Sequence, residues 1–96
     1  MDKKENETME QVAALKYDPS THAPTVVAKG SGEVAKTILE IAQQEDIPVF
    51  SDPTLAKALN HLEIGEFIPP DLFEVVAEIL VFVDDLGKTR KKMGIE

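Results

Sequence analysis

Apolar positions in this chain fall into short runs divided by clusters of turn formers. Val12-Ala13-Ala14-Leu15-Lys16-Tyr17 reads as a strand that ends at Asp18-Pro19-Ser20-Thr21-His22. Thr25-Val26-Val27-Ala28-Lys29 is a stronger strand, rich in β-branched residues that suit a pleated surface. Gly30-Ser31-Gly32 interrupts it, with Ser31 placed to cap a helix and Glu33 favourable in the first turn. Val34, Ile38, Ile41, Ala42 and Glu45 then follow helical spacing, which predicts one apolar stripe facing a sheet and a helix end near Asp46. Ile47-Pro48-Val49-Phe50 is a short strand with Pro48 at its start. Asp52 caps and Pro53 opens a short helix whose Leu55, Ala56, Leu59 and Leu62 point inward. Gly65 and Ile68-Pro69-Pro70 form a linker, and a last helix runs from Pro70-Asp71 to about Leu86, stopping at Gly87.

This order predicts an α/β fold: a small, mostly three-stranded sheet flanked by three helices. Residues 25–51 make a strand–helix–strand crossover, expected to be right-handed with parallel strands. The polar segment 1–10 reads as a disordered arm, 11–87 as the domain, and 88–96 as a basic flexible tail.

Composition narrows the function classes. The chain has 96 residues, 43% of them apolar, and only five aromatics (four Phe, one Tyr). That suits one aliphatic core, not an aromatic-lined pocket. It has no cysteine, which excludes disulfides, thiolate nucleophiles and thiolate metal sites. The net charge is −8, and residues 11–87 hold four lysines against thirteen carboxylates. So acidic a domain repels phosphate backbones, which argues against nucleic acid. The start of the chain lacks the features of a signal peptide. The longest apolar run, Leu72 to Val83, is too short to span a bilayer and carries Glu74 and Glu78. A cytoplasmic location is therefore expected, with any membrane association made through a partner.

Candidate chemistry is sparse. Gly30-Ser31-Gly32-Glu33-Val34-Ala35 fits a G-x-G-x-x-A dinucleotide fingerprint, with Asp52 after the next strand to receive a ribose hydroxyl. Against this, only one crossover is present, Glu33 sits where a pyrophosphate would lie, and Asp52-Pro53 is explained by capping. His22 and His61 lack metal-ligand spacing, and Ser20, Ser31 and Ser51 lack a nucleophile motif. No cofactor, metal or catalytic residue is expected. The last helix carries more information. Leu72, Val76, Ile79, Val83 and Leu86 make a core stripe, leaving Phe73, Ala77 and Leu80 on a neighbouring apolar face. That face suits a broad core contact, self-association or a partner segment.

Several ordered motifs carry a family resemblance. They are Ala14-Leu15-Lys16-Tyr17-Asp18, Ala23-Pro24-Thr25-Val26-Val27-Ala28-Lys29-Gly30, Ile41-Ala42-x-x-x-x-Ile47-Pro48-Val49, Pro53-x-Leu55-Ala56-Lys57-Ala58-Leu59, Glu63-Ile64-Gly65-x-x-Ile68-Pro69 and Val76-Ala77-Glu78-Ile79-Leu80. Together they resemble the cytoplasmic domain of the FlhB/YscU family, the export-gate switch proteins of flagella and type III secretion systems, over roughly residues 12 to 83. The resemblance implies a non-catalytic module that binds export-gate proteins and early, rod- and hook-type export substrates. It also implies a partner-binding patch at Ala23, Pro24, Ala77 and Leu80, to which helix spacing adds Phe73.

Two departures qualify the resemblance. Family members carry an N-terminal membrane domain, which this sequence lacks. They also carry Asn-Pro-Thr-His before the first matched strand, where the chain cleaves itself as the Asn amide attacks its own carbonyl. Glu7, Thr8, Met9 and Glu10 stand there instead, and a glutamate carboxylate cannot form that cyclic imide. The expectation is a stand-alone domain that does not cleave itself, docking at the export apparatus through partners. A small nucleotide-binding domain and a relic without export role are the competing readings.

Overall fold

In the computed structural model of the protein, residues 10–17, 23–85 and 92–96 are described, the stretch 80–85 as backbone alone. Their elements in chain order are β1 (Gln11–Lys16), β2 (Thr25–Ser31), α1 (Glu33–Gln44), β3 (Val49–Phe50), α2 (Pro53–Leu59), α3 (Pro70–Asp85) and β4 (Lys92–Ile95). The strands form one mixed sheet in the order β2-β1-β4-β3. β1 is antiparallel to both neighbours, and β3 runs parallel to β4.

The α/β class is as expected, but the sheet has four strands where the sequence pattern gave three. The fourth comes from the segment expected to be a flexible tail. Lys92–Ile95 lies inside the sheet, with Met93 paired to Leu15 and Ile95 to Ala13. On its other edge, Gly94 N–H donates to Pro48 C=O (2.9 Å) and Glu96 N–H to Phe50 C=O (3.0 Å). Met93 and Ile95 are fully buried, each worth about 2 kcal/mol of apolar transfer. Residues 88–91 of that expected tail, the arm 1–9, and Leu86-Gly87 lie outside the described residues.

β4 also changes the crossover. β2 and β3 are parallel, as expected, yet β1 and β4 stand between them. The short third strand is reduced to Val49–Phe50, and Pro48 precedes it while its carbonyl still serves β4.

The pleat of β1 sends Ala13 and Leu15 to one face and Val12 and Ala14 to the other. Ala13 and Leu15 join Val26, Met93 and Ile95 under Leu55, Ala56 and Leu59 of α2 and Val76 and Ile79 of α3. Asp52 caps α2 through its side chain (Leu55 N–H to Oδ1, 3.1 Å), with Pro53 opening the helix, as the sequence predicts. Two polar side chains fasten this layer. Asn60 Nδ2 donates to Val12 C=O (3.0 Å) and Lys29 Nζ to Leu62 C=O (2.6 Å).

α1 covers the opposite face over β1 and β2, with two corrections to its expected details. Ser31 does not cap it: β2 continues through Ser31, and the cap position is Gly32 at φ 61° with no side-chain bond. The buried stripe also rotates. Ala35 and Ala42 face the sheet, Ile38 and Leu39 flank them, and Val34 and Ile41 are half exposed. The helix lies over Gly30, where a Cβ would collide with the Val34 side chain and stand 3.5 Å from Ile38 Cδ1. Val34 and Ile38 thus rest directly on the bare backbone of Gly30, and Ala35 and Ala42 are the residues buried against the sheet.

The outer edge of β2 is covered by the stretch expected to be a linker. Gly65 N–H donates to Val26 C=O (2.7 Å), Val26 N–H to Glu66 C=O (3.0 Å) and Ile68 N–H to Pro24 C=O (2.9 Å). Gly65 makes that turn at φ 94°, a region most side chains avoid.

Gly30→Ala should lower stability by about 1–3 kcal/mol, because the added methyl is forced against a β-branched neighbour. Gly30→Ala combined with Val34→Ala should recover part of the loss in urea unfolding; a non-recovering double variant would place the strain elsewhere. A second expectation concerns the sheet end, where the Glu96 carboxyl titrates above its ordinary range. The causes are a hydrogen bond that the protonated Glu96 carboxyl donates to the Glu10 carboxylate, then burial, then Glu10's charge. A carboxyl raised on folding stabilises fully below its unfolded value and loses that contribution as pH rises through the folded value. Wild type should therefore gain stability on acidification into the glutamate range, and Glu10→Gln should flatten that gain.

Candidate functional site: the outward face of the last helix

α3 begins at Pro70, whose fixed φ suits a first helical position, with Asp71 in its first turn. Successive inward positions then hold it to the sheet: Leu72 is half-buried, and Val76 and Ile79 are buried. Phe73 stays 42% exposed, and Ala77, one turn on, is exposed as well. Phe73 and Ala77 therefore lie off the core, on the face that helical spacing picked out. Leu80 lies on the same helix, its side chain outside the described residues.

Ala23 and Pro24 take a different position. Both are buried, Ala23 at 4% exposure. Pro24 accepts the Ile68 N–H, two residues before α3 starts. The Ala-Pro pair thus supports the approach to α3 and is not part of its exposed surface. Residues that the sequence reading passed over extend the apolar surface around this approach. Phe67 is bridged to Thr25 and 41% exposed, Ile64 is 61% exposed at the preceding turn, and Val75 is partly open on α3. Their only sequence signal is an apolar residue beside Gly65 and Pro69, which reads as loop until β2 is seen beside it.

The fingerprint loop does not assemble a dinucleotide site. Gly30 is occupied with helix packing, Glu33 opens α1, and Asp52 is committed to capping α2. Asp52 follows β3, three strand spacings from β2, or roughly 14 Å. An open depression of about 440 Å³ lies on the α1 side beside β3, lined by Leu39, Ala42, Pro48 and Val49 with Asp46 and Glu96. Its lining contains no nucleophile–base pair. Among the described residues no three His, Cys, Asp or Glu side chains are grouped to hold a metal. His61 is exposed, and His22 lies outside the described residues.

The fold thus defines a small three-layer α/β domain whose distinctive surface is apolar and helical. Its family follows from comparison. The model of the FlhB HrpN YscU SpaS family matches residues 10–83, and the chain belongs to that family. It is 46% identical over 83 residues to the flagellar biosynthetic protein FlhB of Escherichia coli, and 49% identical over 72 residues to that of Aquifex aeolicus. These cover 84% and 73% of the chain, which spans only 22% and 21% of those relatives. The Bacillus subtilis protein YlqH is 37% identical over 89 residues, covering 92% of this chain and 96% of YlqH. Among solved structures, the PscU C-terminal domain superposes with a TM-score of 0.73 at 30% identity, over 77% of this chain and 96% of that one. A mutated EscU C-terminal domain gives 0.73 at 32% identity, over 77% and 92%. No helix among the described residues is long and apolar enough to cross a membrane.

Proposed function

We propose that this chain is a non-catalytic, protein-binding module of the flagellar or type III export apparatus, with the outward face of α3 as its docking surface. The observation that carries the reading is the division of α3. Val76 and Ile79 satisfy the core, while Phe73, Val75 and Ala77 remain available without being needed for packing. Family membership supplies the setting. Export-gate proteins and early, rod- and hook-type substrates are the proposed partners. The module acts in the cytoplasm and reaches the membrane only through those partners. Ala23 and Pro24 serve by positioning the segment that leads into α3.

The test is retention of export-gate cytoplasmic domains and of rod and hook subunits on immobilised protein. Phe73→Glu with Ala77→Glu should weaken retention by at least about tenfold, the scale of an interface anchor, and leave circular dichroism and thermal midpoint near wild type. Unchanged retention would remove α3 from the interface. The non-catalytic reading makes a separate prediction at Glu7, Thr8, Met9 and Glu10. The carboxylate at Glu7 lacks the amide nucleophile and no proline follows it, so prolonged incubation should leave one intact mass. A fragment pair from a break near residue 7 would refute this.

A further inference from the structure

The family-matched stretch, residues 10–83, contains β1, β2 and β3 but not β4. Those three strands do not make a continuous sheet. β1 bonds β2 on one edge and β4 on the other, and among the described strands β3 pairs with β4 alone. Without β4 the domain has a slot one strand wide between β1 and β3. Both walls of that slot are backbone, and its floor is the core beneath α2 and α3.

Its requirements can be read from the present occupant. The strand must run antiparallel to β1 and parallel to β3. It must place two large apolar side chains, here Met93 and Ile95, into the core. Gly94 sits between them, where an added Cβ would meet Val49 Cγ2 at 3.4 Å, about ordinary contact distance. A slot with unpaired backbone on both walls is a strand-acceptor site, because main-chain hydrogen bonds supply affinity and alternate side chains supply selectivity. The longer relatives share the matched stretch, and the same gap in them would call for a strand from elsewhere in their chains. They are several times the length of this match, the chain covering 22% of the Escherichia coli protein.

We propose that the gap between β1 and β3 is a strand-acceptor site, that β4 is the occupant this chain supplies itself, and that a strand donated by a longer member of the same family can replace it. The proposal rests on topology and family membership and is independent of the role assigned to α3. In the self-filled state β4 competes with the donor, so apparent affinity for the donor falls by the fraction of time the slot is open.

The experiment uses the full chain with Met93→Asp and Ile95→Asp, which keeps β1–β3 intact and makes β4 unfit for the core. Hydrogen exchange should show the β1 amides of Ala13 and Leu15, which face β4, losing protection. A synthetic peptide with the sequence of residues 88–96 should restore it, and the same peptide carrying both aspartates should not. Protection equal to wild type in the variant, or no recovery with the peptide, would overturn the acceptor site. Detergent-solubilised Escherichia coli FlhB should be retained at least about tenfold better by the variant than by wild type, because its competitor is gone. Equal or weaker retention would overturn the donor, as would strand exchange confined to copies of this chain and seen as a dimer in sedimentation. Phe73→Glu with Ala77→Glu should leave β1 protection untouched, which separates a failure here from a failure of the α3 interface.

Discussion

Every layer of this domain is fastened to β1. Both edges of the strand are hydrogen-bonded, to β2 and to β4, and both faces are covered. Val12 and Ala13 are completely buried on opposite faces and Leu15 nearly so. The Val12 carbonyl also accepts the Asn60 amide from the end of α2. A strand buried on both faces reads as a continuous apolar run, and Val-Ala-Ala-Leu is such a run. Its small central residues let helices approach from both sides.

The surface left open follows from how the helices share that sheet. On one face α1 settles over β1 and β2, drawn close by Gly30, and leaves β3 and β4 less covered. On the other face α2 already covers much of the core, so α3 needs only one stripe to complete it. Its Phe73, Val75 and Ala77 are left facing outward. The docking surface proposed for this domain is therefore what the packing leaves unused. The described buried side chains are all apolar.

Most local features were legible from residue order because their causes are local. Asp52-Pro53 starts a helix through a carboxylate three residues from its donor, and that bond is present. The β-branched run at Thr25 to Val27 is a strand, and the stripe at Leu72, Val76 and Ile79 faces the core. The misreadings had non-local causes. Ser31 was available as a cap, but pairing with Gln11 holds it in β2 and leaves Gly32 at the helix start. The apolar spacing of α1 marks a helix correctly, yet Ala35 and Ala42 are buried against the sheet while Val34 and Ile41 stay half exposed. Phe67 and Ile64 looked like loop positions because the strand edge they cover lies about forty residues away in the chain.

By itself the sequence determined the α/β class, the helices, the inward residues of α2 and of the start of α3, the absence of thiol chemistry and the family. All of these depend on residue type at short spacing or on ordered motifs. Tertiary structure alone decided what Lys92–Ile95 is. Four residues containing a glycine and following a run of basic side chains carry no strand signal of their own, since β propensity largely reflects fit to neighbours. The neighbours here are β1, about eighty residues earlier, and β3, about forty-five earlier. Only their arrangement creates a gap that a Met-Gly-Ile segment can fill. The same gap turns an apparent tail into the strand that joins the two halves of the sheet.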